Sequence, residues 1–206
     1  PEVASLVILV LGAFSAAFWL RRRHERAYLL FAVVAGLWWV RNLHYHVDHP
    51  EQAWSWLWFW WLTHASLSWI LVVSWFFASR FHDRRRPWLA RGLLAFTAAV
   101  SLASLPVWPW QGDTLVLQHL CNAVVAVLVS VVLTHDAWRQ PSRELWAITL
   151  AQWAGLALGV HDLLLVSLRI TPESVYLMPY ASMLLFTAFL FAVQRRYVGA
   201  IEAVEQ

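Results

Sequence analysis

The chain has no lysine, and all fifteen of its strongly basic residues are arginine. A seven-helix protein that carries retinal needs a lysine amine for its Schiff base, so that chemistry is excluded. A single cysteine, Cys121, cannot form an intramolecular disulfide and is expected to be a small packing residue in a helix. Charged residues make up only 13% of the 206, against 61% hydrophobic, which excludes an ordinary soluble domain and fits a membrane domain. The net charge of +3 is an arginine belt facing anionic lipid headgroups, and it does not point to nucleic acid. No internal repeat and no pair of Gly/Pro-broken apolar segments in matching positions is visible, which argues against a transporter. The clustered histidine boxes of membrane di-iron hydroxylases are missing too, His46-x-x-His49 being a poor substitute. With no catalytic motif, the chain is not expected to be an enzyme itself. The first apolar segment lacks a basic leading region and a small-residue cleavage site, so it does not read as a signal peptide. The chain opens at Pro1 without an initiator Met and stops within a helical pattern, as an excised piece would.

What is present is a regular alternation. Seven apolar stretches run over Val3–Leu20, Ala27–Val47, Trp54–Ala78, Trp88–Trp108, Thr114–Thr134, Leu145–Leu168 and Val175–Val193. Each is near the ~20 residues that a helix needs to cross about 30 Å of hydrocarbon. A bilayer leaves open sheet edges unpaired, so the spans are helices. The fold expected is all-α: a polytopic seven-transmembrane-helix bundle over residues 1–194, with residues 195–206 beginning a cytoplasmic signalling helix.

The arginines orient it. Arg21, Arg22, Arg23 and Arg26 follow stretch one; Arg80, Arg84, Arg85, Arg86 and Arg91 follow stretch three. Arg139 and Arg143 follow stretch five, and Arg195 and Arg196 follow stretch seven. Only Arg41 and Arg169 lie at the opposite ends. Excess arginine marks the cytoplasmic side, which puts the amino terminus outside and the carboxyl terminus in the cytoplasm. Sixteen tryptophans include clusters at Trp54, Trp56, Trp58, Trp60 and Trp61 and at Trp108 and Trp110, which read as an interfacial belt or as the lining of an aromatic pocket.

Ionisable residues inside a membrane are costly and mark function by default. Here they gather in the outer half: Arg41, Asn42, His44, His46, Asp48 and His49 around the end of helix two, and His64 on helix three. Helix five opens with Gln118, His119 and Asn122, helix six ends with His161 and Asp162, and helix seven opens with Tyr176 and Tyr180. Residues three or four apart share a helix face. Arg41, His44 and Asp48 therefore form one stripe, expected to face inward, and Asn42, His46 and His49 another. Trp61, His64, Ser68 and Trp75 form a stripe on helix three. Gln152, Gly155, Gly159 and Asp162 share an arc of helix six, where the glycine pair permits close helix approach. Tyr176, Tyr180, Met183, Thr187 and Gln194 run the length of helix seven. The sharpest expectation is a site built from His44, His119 and His161 with His64 and Asp162 close by. Three imidazoles suit zinc or copper, and two suit haem. The alternatives are a polar cavity for a small ligand, held by Arg41, Asn42, Asn122, Asp162, Tyr176 and Tyr180, or for protons, and local structural roles. His24, His82 and His135 lie at cytoplasmic helix ends and read as structural.

After helix seven, Tyr197, Ile201 and Val204 are spaced four then three, the opening of a coiled-coil seam. Together with the stretch Arg22-Arg23-His24-Glu25-Arg26-Ala27-Tyr28-Leu29-Leu30-Phe31 and the run from Tyr176-Leu177-Met178-Pro179-Tyr180 to Arg195-Arg196-Tyr197, the chain resembles the bacterial seven-transmembrane receptors with diverse intracellular signalling modules. The resemblance covers essentially the whole chain. It implies a sensor in the bacterial inner (cytoplasmic) membrane, joined to a cytoplasmic output domain such as a histidine kinase or nucleotide cyclase, with a homodimer as one mode of assembly. Many such receptors carry an extracytoplasmic ligand domain before helix one; none is visible here, which moves attention to the intramembrane polar cluster. The competing reading is a membrane metal- or haem-binding redox protein.

Overall fold

In the computed structural model, residues 2–45, 47, 53–81, 86–108, 114–166 and 176–205 are described. Among them are seven α-helices, one 3-10 turn and no strand. The helices are α1 (Glu2–Arg21), α2 (Arg26–Asn42), α3 (Ala53–Ala78), α4 (Pro87–Ala103), α5 (Thr114–Arg139), α6 (Arg143–Val166) and α7 (Met178–Glu205). Four of them contain stretches long and apolar enough to cross a membrane: Val3–Arg21, Trp54–Ala78, Val116–Arg139 and Arg143–Leu165. The shorter apolar helix α4 starts with Pro87 in its first turn, where a missing N–H costs nothing.

Two boundaries differ from the sequence reading. Helix α2 stops at Asn42 and tightens into the 3-10 turn Leu43–Tyr45, short of Val47. Arg91 belongs to the second turn of α4, not to the arginine-rich gap before it. Helix α7 runs unbroken past Gln194 and Arg195, where the signalling helix was expected to begin. His46, Asp48, His49, His82, Arg84, Arg85, Trp110 and Arg169, and the seam side chains Tyr197, Ile201 and Val204, lie outside the described residues.

The chain divides into two compact units. The first comprises Pro1–Phe77 and Arg85–Val125. In it α1 packs along α2, and the reason is visible at Gly12: a Cβ there would sit 2.6 Å from the Cβ of Ala35. Ser15 Oγ donates to the Tyr28 carbonyl (3.0 Å), and the Phe18 and Tyr28 rings stack beside it. The most buried helix here is α3, whose Ser68 and Trp75 are almost fully enclosed. Trp61 Nε1 donates to the Ser101 carbonyl (2.8 Å) and Trp69 Nε1 to Ser101 Oγ (3.2 Å), so two indoles anchor α3 to α4.

The second unit comprises Ala78–Arg84 and Ala126–Gln206. Here α6 packs on α7 through the arc that the sequence singled out. Gly155 faces Ala181 and Gly159 faces Met178, both at ordinary contact distance for an added Cβ. At the opposite end of the pair, Arg195 Nε donates to Glu144 Oε1 (2.8 Å). Helix α5 contributes a buried carboxylate, Asp136, beside His135. The sequence reading saw no such group in that half of the helices. Thr134 Oγ1, which donates to the Ser130 carbonyl, also receives Trp153 Nε1 from α6 (2.9 Å).

Candidate functional site

The polar side chains of the first unit converge on α3. At the end of α2, Arg41 and Asn42 are both buried, Asn42 completely. Both lie in the last turn of the helix, about a hundred degrees apart, so two different sides of α2 are covered there. Asn42 Nδ2 donates to Ser5 Oγ of α1 (3.2 Å). His44, in the 3-10 turn, makes a short hydrogen bond through Nδ1 to the Arg41 carbonyl. On α3, His64 Nδ1 reaches the Trp60 carbonyl one turn back (2.8 Å). A carbonyl can only accept, so in both histidines Nδ1 is the donor.

His64 is the centre of the array. Its ring stacks on Trp60 at 4.5 Å, meets His119 of α5 edge-to-face at 5.3 Å, and lies 6.3 Å from His44. Arg41 is buried at the end of α2, and its carbonyl takes the hydrogen bond from His44. One turn further along the same two helices, Ser68 Oγ donates to Asn122 Oδ1 (2.9 Å). Gln118 precedes Asn122 by four residues, so it shares that face of α5. The ladder thus has two rungs, His64 with His119 and then Ser68 with Asn122, and Gln118 lies one turn before Asn122 on α5.

Several of its polar atoms have no protein partner among the described residues. Gln118 Nε2, Asn122 Nδ2 and Asn42 Oδ1 are buried without a hydrogen bond. Each such atom costs about 1–3 kcal/mol of desolvation that folding does not recover.

The tryptophan cluster is part of this region. Trp54 with Trp58, Trp56 with Trp60 and Trp58 with Trp61 make edge-to-face pairs at 5.8, 5.0 and 5.6 Å. The rings form two chains, Trp54–Trp58–Trp61, which begins at exposed Trp54, and Trp56–Trp60–His64. Trp60 therefore lines the site, Trp61 turns to α4, and Trp54 stands out as a belt residue does.

His161, Asp162, Tyr176 and Tyr180 belong to the second unit, where their roles differ from the expected ones. Asp162 accepts the backbone N–H groups of Leu177 on Oδ1 and Met178 on Oδ2, each at 2.8 Å, and so caps the start of α7. His161 Nδ1 lies 3.1 Å from the same carboxylate. Tyr176, Tyr180 and Met183 are 42%, 48% and 39% exposed, and Thr187 and Gln194 are exposed too. The long stripe on α7 is an exposed face of the helix.

Among the described residues no group of three or more His, Cys, Asp or Glu side chains is arranged to hold a metal ion. The expectation of copper or zinc on His44, His64, His119 and His161 therefore gains no support from the geometry. The direct ring contact between His64 and His119 leaves no room for a haem macrocycle between them. The sequence reading left Ser68, Gln118, Trp60 and Ser5 out of the site. Their signal was present in part, as polar residues four apart on α3 and α5.

No curated protein and no solved structure is significantly similar to the chain. Residues 4–196 match the family model described as 7TM diverse intracellular signalling, and the chain belongs to that family of membrane domains.

Proposed function

We propose that the chain is the transmembrane sensory module of a bacterial signalling protein, and that its stimulus acts on the ladder formed by Arg41, His44, His64, Gln118, His119 and Asn122. The module crosses the inner membrane seven times, amino terminus outside, and hands its state to a cytoplasmic output domain, a histidine kinase or a nucleotide cyclase. The observation that carries the site assignment is the set of buried, unpaired hydrogen-bonding atoms on Gln118, Asn122 and Asn42. An apolar interior would be more stable there. Retaining such atoms beside a buried arginine and three imidazoles suits a place that exchanges partners when the signal changes.

A stimulus shifts a two-state protein only by its differential affinity for the two states. The ladder joins α3 and α5 by ring contact and by one hydrogen bond. A ligand or proton that takes up the unpaired groups changes which helix register is preferred. Helix α7 suits the output connection: its 28 residues make about 42 Å of unbroken helix, longer than the hydrocarbon layer. Dimerisation through its carboxyl-terminal seam is the simplest way to present motion to a dimeric kinase or cyclase.

The test is the output of the protein that carries this module. His64→Ala, His119→Ala and Asn122→Leu should each flatten its response while leaving membrane insertion intact. Normal response in all three variants would refute the site.

A further inference from the structure

Outside the ladder, the second unit holds an open groove of about 450 Å³ at the beginning of α6. Its floor is apolar: Trp146, Ala147 and Leu150 from α6 and Phe191 from α7. Its mouth is Pro141 and Arg143. The cations around it are not equivalent. Arg195 is engaged by Glu144 at 2.8 Å and lies over the Phe191 ring at 6.0 Å. Arg143 is exposed and makes no ion pair or hydrogen bond through its side chain among the described residues.

The depth profile matches an amphiphile. Arg143 is the first residue of the apolar span Arg143–Leu165. Leu150, seven residues on, is about 10 Å deeper along the helix. A cation at the membrane edge with an apolar channel running inward from it asks for an anionic head and a hydrocarbon tail. We propose that this groove binds one anionic phospholipid, its phosphate on Arg143 and one acyl chain laid against Trp146, Ala147, Leu150 and Phe191. Because Phe191 lies one turn from Arg195, a bound lipid lies beside the Glu144–Arg195 ion pair between α6 and α7. This inference needs only a membrane-embedded second unit and is independent of the sensory ladder.

The experiment is native mass spectrometry of the chain in mild detergent with added phosphatidylglycerol or phosphatidylcholine. The wild type should retain one phosphatidylglycerol in preference to phosphatidylcholine. Arg143→Gln should weaken phosphatidylglycerol retention about fivefold and erase the preference, one interfacial cation being worth that much. Ala147→Trp, which fills the channel, should remove both lipids. Arg143 is exposed, so Arg143→Gln decides the matter even if Ala147→Trp fails to fold. Equal retention by wild type and Arg143→Gln would overturn the proposal. So would inorganic phosphate displacing the lipid as well as free phosphatidylglycerol does, which would mark a small-anion site. A dimer abolished by Ala147→Trp and unaffected by lipid would assign the groove to a second copy instead.

Discussion

Asp162 shows how a charged residue deep in an apolar sequence can be structural. Both of its oxygens accept backbone N–H groups at the start of α7, where negative charge also favours the helix dipole. Asp162→Ala should cost about 2 kcal/mol, read as a lower unfolding temperature in detergent. Asp162→Asn, which keeps one acceptor, should lose less. Gln118 is the opposite case, buried with an unpaired Nε2. Gln118→Leu should leave stability unchanged or raise it by about 1 kcal/mol in the same melt. The contrast also shows what was legible in the sequence. Arg41, His44, His64 and His119 were visible as polar residues at similar depth, and the structure brings them together around His64. His161 looked equivalent to them by depth alone. Its nearest polar group is the neighbouring Asp162, which is already engaged in a cap. Depth can be read from hydropathy, but the azimuth at which one helix meets another depends on packing that no single segment encodes.

Among the elements, the seven apolar stretches coincide with the seven α-helices of the described residues, four of them long and apolar enough to cross a membrane. Their ends were less legible. Helix α2 stops at Asn42 because the chain there tightens into a 3-10 turn, with the Leu43 N–H bonded to the Val40 carbonyl. No proline or glycine announces it, and the stripe drawn through Arg41 and His44 assumed a helix that had already ended. The stripe on α7 shows another limit: polar and aromatic residues at helical spacing mark a face, yet spacing cannot say whether that face is covered, and here it is exposed. The contact of α1 with α2 offers a direct check. With a Cβ at position 12 only 2.6 Å from Ala35, Gly12→Leu should cost about 1–3 kcal/mol by overpacking, measurable as a reduced melting temperature. Gly36→Ala, where an added Cβ meets nothing within 4 Å, should not. The Glu144–Arg195 pair is partly exposed. Glu144→Gln should therefore change stability by less than about 1 kcal/mol, while altering the signalling output if α7 carries the signal.

On the scale of the whole molecule, the arginine distribution makes the topology testable. Alkaline phosphatase fused after Trp108 should be active in the bacterial envelope, and the same enzyme fused after Gln140 should be inactive. The reverse pattern would invert the orientation. Membership of the signalling family accounts for the all-helical chain and its apolar spans. The match identifies no stimulus, and that question returns to the ladder on α3 and α5. The most direct measurement introduces Gln118→Leu and Asn122→Leu together into the full-length signalling protein. It then records both the unfolding temperature and the enzymatic output across changes of external pH, ions and small solutes. The sensory account predicts an output locked at one level in a protein that melts no lower than wild type. An output that still responds as wild type does, or a module that melts markedly lower, would make the ladder structural and contradict it.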